Sequence, residues 1–127
     1  MKKSLKTLSL FALVGLSFMA CREKLPTIAE ITVKDVDNKV IPGVTVILYG
    51  ESTETPPKPV TRIDTAITDI FGVAQFDYTE DFQLGQAGFA VLNIDAKVTD
   101  DTGNTFSGTG TIKIEEEKVN EEVVYIQ

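Results

Sequence analysis

Apolar and polar residues alternate with a period of two along most of this 127-residue chain, the mark of strands with one buried face. Ala29, Ile31 and Val33 alternate with Glu30, Thr32 and Lys34. Asp35 to Lys39 interrupts them with turn chemistry, in which Asp37-Asn38 can accept backbone hydrogen bonds or tolerate positive φ. Pro42-Gly43 opens a second strand, Val44 to Tyr49, with the proline where no ladder donor is needed. Gly50 to Pro59 is a Ser/Thr/Glu/Pro loop. A third strand is predicted around Thr61 to Thr68, with Ile63 and Ile67 on one face, and a turn at Asp69 to Gly72 leads to a fourth, Val73 to Tyr78. Thr79 to Gly88 is irregular and holds either a short helical turn or a wide loop. Phe89 to Val98 is the longest alternation, with Ala90, Leu92, Ile94, Ala96 and Val98 directed inward. Asp100-Asp101-Thr102-Gly103-Asn104 is a strong turn signal. Phe106 to Ile114 and Val119 to Ile126 then complete a terminal hairpin around Glu115-Glu116-Glu117. Seven short strands rich in β-branched residues, with no helical period among them, predict an all-β, antiparallel Greek-key β-sandwich over residues 27–127.

The start of the chain follows a different rule. Lys2, Lys3 and Lys6 precede an apolar run from Leu8 to Ala20, thirteen residues, whereas a helix needs about 20 to cross a bilayer core. This pattern predicts a cleaved signal peptide over residues 1–20. Phe18-Met19-Ala20-Cys21 resembles a bacterial lipobox, which implies that Cys21 becomes the lipidated N-terminus, with residues 21–26 as a tether. An ordinary secretory signal would instead export a lone thiol without a purpose. Two or three acyl chains of the palmitate type hold stably where one holds marginally. Arg22 stands where enterobacterial lipoproteins retained at the inner membrane carry Asp, so the resemblance implies the outer membrane. The mixed Arg22-Glu23-Lys24 leaves both its periplasmic and its surface face open.

Composition narrows the function. Without the leader, 107 residues remain, enough for one domain and few for two cores. Removing Lys2, Lys3 and Lys6 leaves nine bases against nineteen acids, a net charge of −10. Such a surface repels nucleic acid and anionic headgroups, which excludes nucleic acid as a partner. With Cys21, the one cysteine, acylated, no disulfide is available and the fold rests on its core.

Two segments carry a family resemblance. Asp37-Asn38-Lys39-Val40-Ile41-Pro42-Gly43-Val44-Thr45-Val46 resembles the opening hairpin of carboxypeptidase regulatory-like domains, also called transthyretin-like or prealbumin-like. Thr68-Asp69-Ile70-Phe71-Gly72-Val73-Ala74-Gln75-Phe76 resembles their second signature. Gly43 and Gly72 relieve tight approaches to strands, Asp69 can cap its turn, and Phe76 delivers a core aromatic. The resemblance implies a seven-stranded sandwich without a catalytic role. In this family such domains occur as appendages of carboxypeptidases, ahead of outer-membrane receptors, and alone in exported lipoproteins of Bacteroidetes.

Candidate chemistry is sparse. The chain has no His and no Trp. A Ser or Thr nucleophile therefore lacks the usual base, and the histidine-dependent hydroxyisourate hydrolases among transthyretin-like proteins are excluded as a template. Neither catalysis nor a cofactor is expected. Asp35, Asp37 and Asn38 begin like a calcium loop, but Lys39 and Val40 break the spacing, as the register at Asp100 to Asn104 also does. Both read as turns, and Glu115-Glu116-Glu117 reads as a solvated tip, so no metal site is expected. Phe76, Phe89 and Phe106 are expected in the core, and Phe71 and Phe82 exposed. Gly108 and Gly110 form a flat spot suited to a neighbouring aromatic, or to a partner's backbone. Asp64-Thr65-Ala66 resembles the Asp-Thr-aliphatic acceptor of Bacteroidetes O-glycosylation.

These readings converge on a membrane-anchored, non-enzymatic lipoprotein. It would reach the bilayer through Cys21 and dock to another envelope protein through a loop end or an open sheet edge. The contact loop is expected around Glu51, Thr55 and Lys58, with Phe71 and Phe82, because loops on a rigid sandwich carry binding. The alternative is a module for glycans or other small ligands, which requires exposed aromatics converging on one concave loop end.

Overall fold

The computed structural model describes residues 23–50, 62–81 and 89–127, with Phe89 described by its backbone alone. The described residues are all-β, with two sheets packed face to face as a β-sandwich. In chain order the strands are β1 (Ile28–Lys34), β2 (Thr45–Tyr49), β3 (Ile63–Ile67), β4 (Val73–Asp77), β5 (Phe89–Thr99), β6 (Thr105–Glu115) and β7 (Val119–Tyr125). Directly after β4 the described residues form a 3₁₀ turn, Thr79–Asp81. No helix among the described residues is long and apolar enough to cross a membrane.

One sheet has the order β4-β1-β7 and the other β3-β2-β5-β6. Alternation sets their inner faces. Ala29, Ile31 and Val33 of β1 are fully buried, as are Val46 and Leu48 of β2 and Ala96 of β5. Ala74 and Phe76 of β4, Ile94 of β5, Ile112 and Ile114 of β6 and Val124 of β7 join the same core, and Leu92 and Val98 pack at its margin. Each fully buried Val, Leu or Ile side chain contributes about 1.5–3 kcal/mol. Phe106 corrects the expectation placed on it: at 38% exposure it lies outside the core.

The end of the chain corrects the expected hairpin and the purely antiparallel arrangement. Glu115 to Val119 carries the chain from one sheet to the other. There β7 runs parallel to β1, with Ile28 opposite Val119 and Lys34 opposite Tyr125. Glu117 adopts positive φ (57°) in this connection. Glu116 and Glu117 are half-buried, so the acidic run is not the solvated tip its charge suggested. Charge runs do not distinguish a hairpin from a crossing between sheets.

The crossing closes one flank of the sandwich. Ser107 and Gln127 exchange backbone hydrogen bonds at 3.3 and 3.2 Å. The Asn120 side chain accepts from the Glu115 N–H and donates to the carbonyls of Glu115 and Ile28. Gly108 makes the approach possible, because a Cβ there would lie 2.1 Å from the Tyr125 carbonyl oxygen. The flat spot thus admits β7's own backbone and not an aromatic ring. Backbone cannot swing aside as a side chain can, so Gly108→Ala should destabilise the fold by about 1–3 kcal/mol. Gly110→Ala, with its Cβ 3.3 Å from Val124 Cγ2, should cost less, and urea unfolding of the two variants beside the parent checks the order.

Candidate functional site

The strand directions define two poles. β1, β3, β5 and β7 end at one of them, where β2, β4 and β6 begin. Three turns gather at this pole, and they share one design. Asp35 Oδ1 accepts the N–H groups of Asp37 (2.9 Å) and Lys39 (3.0 Å), the Asn38 N–H donates to the Asp35 carbonyl, and the Asp35 N–H donates to that of Lys39. Asp69 repeats the pattern with Phe71 (2.8 Å) and Val73 (3.1 Å), and Asp100 repeats it with Thr102 and Asn104, both at 2.9 Å. The fourth residue of each turn is left-handed: Asn38 (φ 65°), Gly72 (73°) and Gly103 (88°). Asn and Gly are the residues that tolerate this conformation. An Asp followed three positions later by Asn or Gly is therefore one sequence signal for all three turns.

The design has a consequence for the surface. With the Asp and the left-handed residue fixed, the two residues between them form the outermost tip. These tips are Val36-Asp37, Ile70-Phe71 and Asp101-Thr102. Ile70 is 79% exposed and Phe71 68%, so Phe71 stands exposed as its sequence context suggested. Val36, Val40, Phe106 and Tyr125 are also exposed at this pole. Tight packing holds the tips in place. A Cβ on Gly72 would come within 2.8 Å of Val40 Cβ and 3.1 Å of the Val33 carbonyl oxygen. The buried Thr68 hydroxyl accepts from the Val44 N–H (2.9 Å) and donates to the Ile41 carbonyl (2.8 Å). Tyr125 Oη meets Asn38 Oδ1 at 3.3 Å, tying the β1–β2 turn to β7.

The opposite pole receives the incoming chain. Thr27 is the first fully buried residue described. Its N–H donates to Thr79 Oγ1, its carbonyl accepts from Tyr78, and its hydroxyl accepts from Glu117. Nearby, Arg62 binds both oxygens of Asp81 and, through Nε, Asp64 at 2.9 Å. Tyr78 Oη reaches Asp64 at 3.1 Å, and the guanidinium lies 5.2 Å from the Tyr78 ring centroid. Hydrogen bonds to Asp81 and then Asp64 hold Arg62 firmly protonated. Burial, followed by the Asp64 charge, pushes the Tyr78 phenol up. The two carboxylates are committed to one cation, which makes this cluster a latch between β3 and the segment after β4. It offers no free acid–base pair.

Of the residues singled out from sequence, Cys21, Glu51, Thr55, Lys58 and Phe82 lie outside the described residues. The strand ends that flank the Glu51–Lys58 segment, Tyr49 and Ile63, stand at the pole of Thr27, away from Phe71. Thr65 is exposed on the outer side of β3. Among the described residues no three His, Cys, Asp or Glu side chains are grouped to hold a metal ion. Two shallow depressions mark the outer face of the larger sheet: one of about 370 Å³ by Thr45, Ile47 and Lys97, and one of about 410 Å³ by Tyr49, Asn93 and Thr111. No protein-family model matches the chain, and no curated protein matches it.

The Thr102 hydroxyl, then the Asn104 N–H, hold the Asp100 carboxyl below its ordinary range. A depressed folded pKa stabilises the fold above the unfolded value, about 3.9, and that contribution is lost as pH falls through the lower folded value. Asp100→Ala should therefore lower the urea midpoint at pH 7, and the gap to the parent should narrow progressively below about pH 4.

Proposed function

We propose that this chain is a non-catalytic, lipid-anchored docking module of the cell envelope. In this reading a Greek-key, prealbumin-like sandwich of the carboxypeptidase regulatory-like kind is tethered through Cys21 and presents its turn pole to another envelope protein. The observation that carries it is the set of exposed apolar tips, Val36, Ile70 and Phe71, held by hydrogen-bonded turns at the pole opposite Thr27. Exposed apolar residues fixed on a rigid frame lose little entropy when a partner covers them. β1 spans roughly 20–25 Å from the tether pole to the turn pole. An anchor at Cys21 then leaves the tips directed away from the bilayer.

The spacing of the aromatics favours a protein partner over a sugar. Phe71 follows β3 on one flank, whereas Phe106 and Tyr125 lie on the β6–β7 flank. β3 and β6 are separated by β2 and β5, roughly 14 Å at ordinary strand spacing. One pyranose ring does not bridge that distance.

Two measurements test the reading. Cell fractionation should find the parent in the outer-membrane fraction and Cys21→Ser released from it, and surface proteolysis of intact cells then assigns the face. A photoreactive residue in place of Phe71 should crosslink to one envelope protein of defined mass, with the product lost in an Ile70→Asp background. Crosslinking no more specific than from the same probe at Gln75 overturns the docking role, and a membrane-bound Cys21→Ser chain overturns the anchor.

A further inference from the structure

Each sheet of a sandwich has two edges, and an unguarded edge is a template for another strand. Three of the four edges here are guarded. β4 carries Asp77, with Gln75 beside Glu30 of its neighbour. β7 carries Glu121 and Glu122, both exposed. β6 is met at Ser107 by Gln127 and at Glu115 by Asn120.

β3 differs from all of them. The Thr68 N–H donates to the Val44 carbonyl and the Thr68 carbonyl accepts from the Gly43 N–H, so Thr68 faces β2. By alternation Asp64 and Ala66 also turn their backbone groups to β2, and Ile63, Thr65 and Ile67 turn theirs outward. No described residue pairs with that outer edge. The side chains of the same three residues stand on the solvent face, Ile63 at 62% and Ile67 at 65% exposure. All three are β-branched and uncharged, which suits a further strand. Behind them lie half-buried Ile47, opposite Thr65, and Tyr49, opposite Ile63. The nearest charges among the described residues, Arg62 and Asp64, are drawn together with Asp81 into the ion-pair cluster at the end of β3 and off the outward row.

We propose that β3 pairs antiparallel with β3 of a second copy of this chain, joining two four-stranded sheets into one. The outward row reads the same in both directions about Thr65. A two-fold axis there sets Ile63 of one copy against Ile67 of the other and Thr65 against Thr65, with backbone hydrogen bonds exchanged at each facing pair. Charge argues for a copy of itself at this edge. At a net charge of −7 two copies repel over most of their surfaces, and this row meets itself without opposing a carboxylate. A strongly basic strand would find no carboxylate in the row to pair with.

Single-cysteine crosslinking of the full-length chain tests the pairing. Cys21→Ser removes the one native thiol, and Thr65→Cys, Gln75→Cys or Val91→Cys is then added singly. Directly opposed residues of a hydrogen-bonded antiparallel pair have Cα atoms about 5.5 Å apart, within disulfide range. Under a mild oxidant Thr65→Cys should form the covalent dimer about tenfold faster than either exposed control, or more. Adding Ile63→Lys and Ile67→Lys, both at exposed positions, should reduce it to the control rate. Equal rates at all three cysteines overturn the proposal. So does a Thr65→Cys dimer that survives the two lysines but is lost with Phe71→Asp, because the contact would then lie at the turn pole.

Discussion

The rest of the sandwich depends on how β1 is held. It is the central strand of its sheet, with β4 antiparallel on one side and β7 parallel on the other, and its Ala29, Ile31 and Val33 are fully buried. A parallel neighbour cannot be delivered by a tight hairpin. The chain must pass through the second sheet and cross back before β7 can lie beside β1. That crossing needs the backbone contact at Gly108, the side-chain clamp of Asn120 and the left-handed Glu117. Each is a local cost or constraint whose justification is the pairing it permits.

The two poles divide the remaining work by different physics. At the pole of Thr27, charge and aromatic stacking predominate: Arg62 is wedged among Asp64, Asp81 and Tyr78, and the Tyr78 ring stacks on Phe76 at 6.4 Å between centroids. At the turn pole, uncharged backbone donors satisfy three aspartates, so rigid geometry is obtained without basic partners. A pole built in this way can leave Ile70 and Phe71 in water while its backbone stays ordered. The turn hydrogen bonds, with the close packing around Gly72, hold the exposed tips in position.

Much of this was legible in the residues. Strand alternation located β1, β2, β4 and β5 and the inward set Leu92, Ile94, Ala96 and Val98. Asp37-Asn38, Asp69 to Gly72 and Asp100 to Asn104 marked their turns, and Phe71 stood out as exposed. What failed was long-range. Alternation says which face is buried but not which strand lies beside which, so β6 and β7 read as a hairpin although they belong to different sheets. Phe106 read as core because a small domain must bury its large residues, yet it lies near the turn pole, where the sandwich ends, and is exposed. The Arg62 latch was invisible for a related reason: its partners, Asp64, Tyr78 and Asp81, are brought together by the packing of β3 beside β4.

The pairing of Ile28 with Val119 also orders events in time. β1 and its parallel neighbour are separated by most of the chain, and closing so long a loop is a slow step in forming a domain. As the polypeptide emerges from a ribosome, β1 appears early but cannot complete its sheet until β7 has followed. Until then the strand keeps a bare edge of backbone N–H and C=O groups where β7 will lie. The sheet around β1 can therefore be completed only when the last strand of the chain is available.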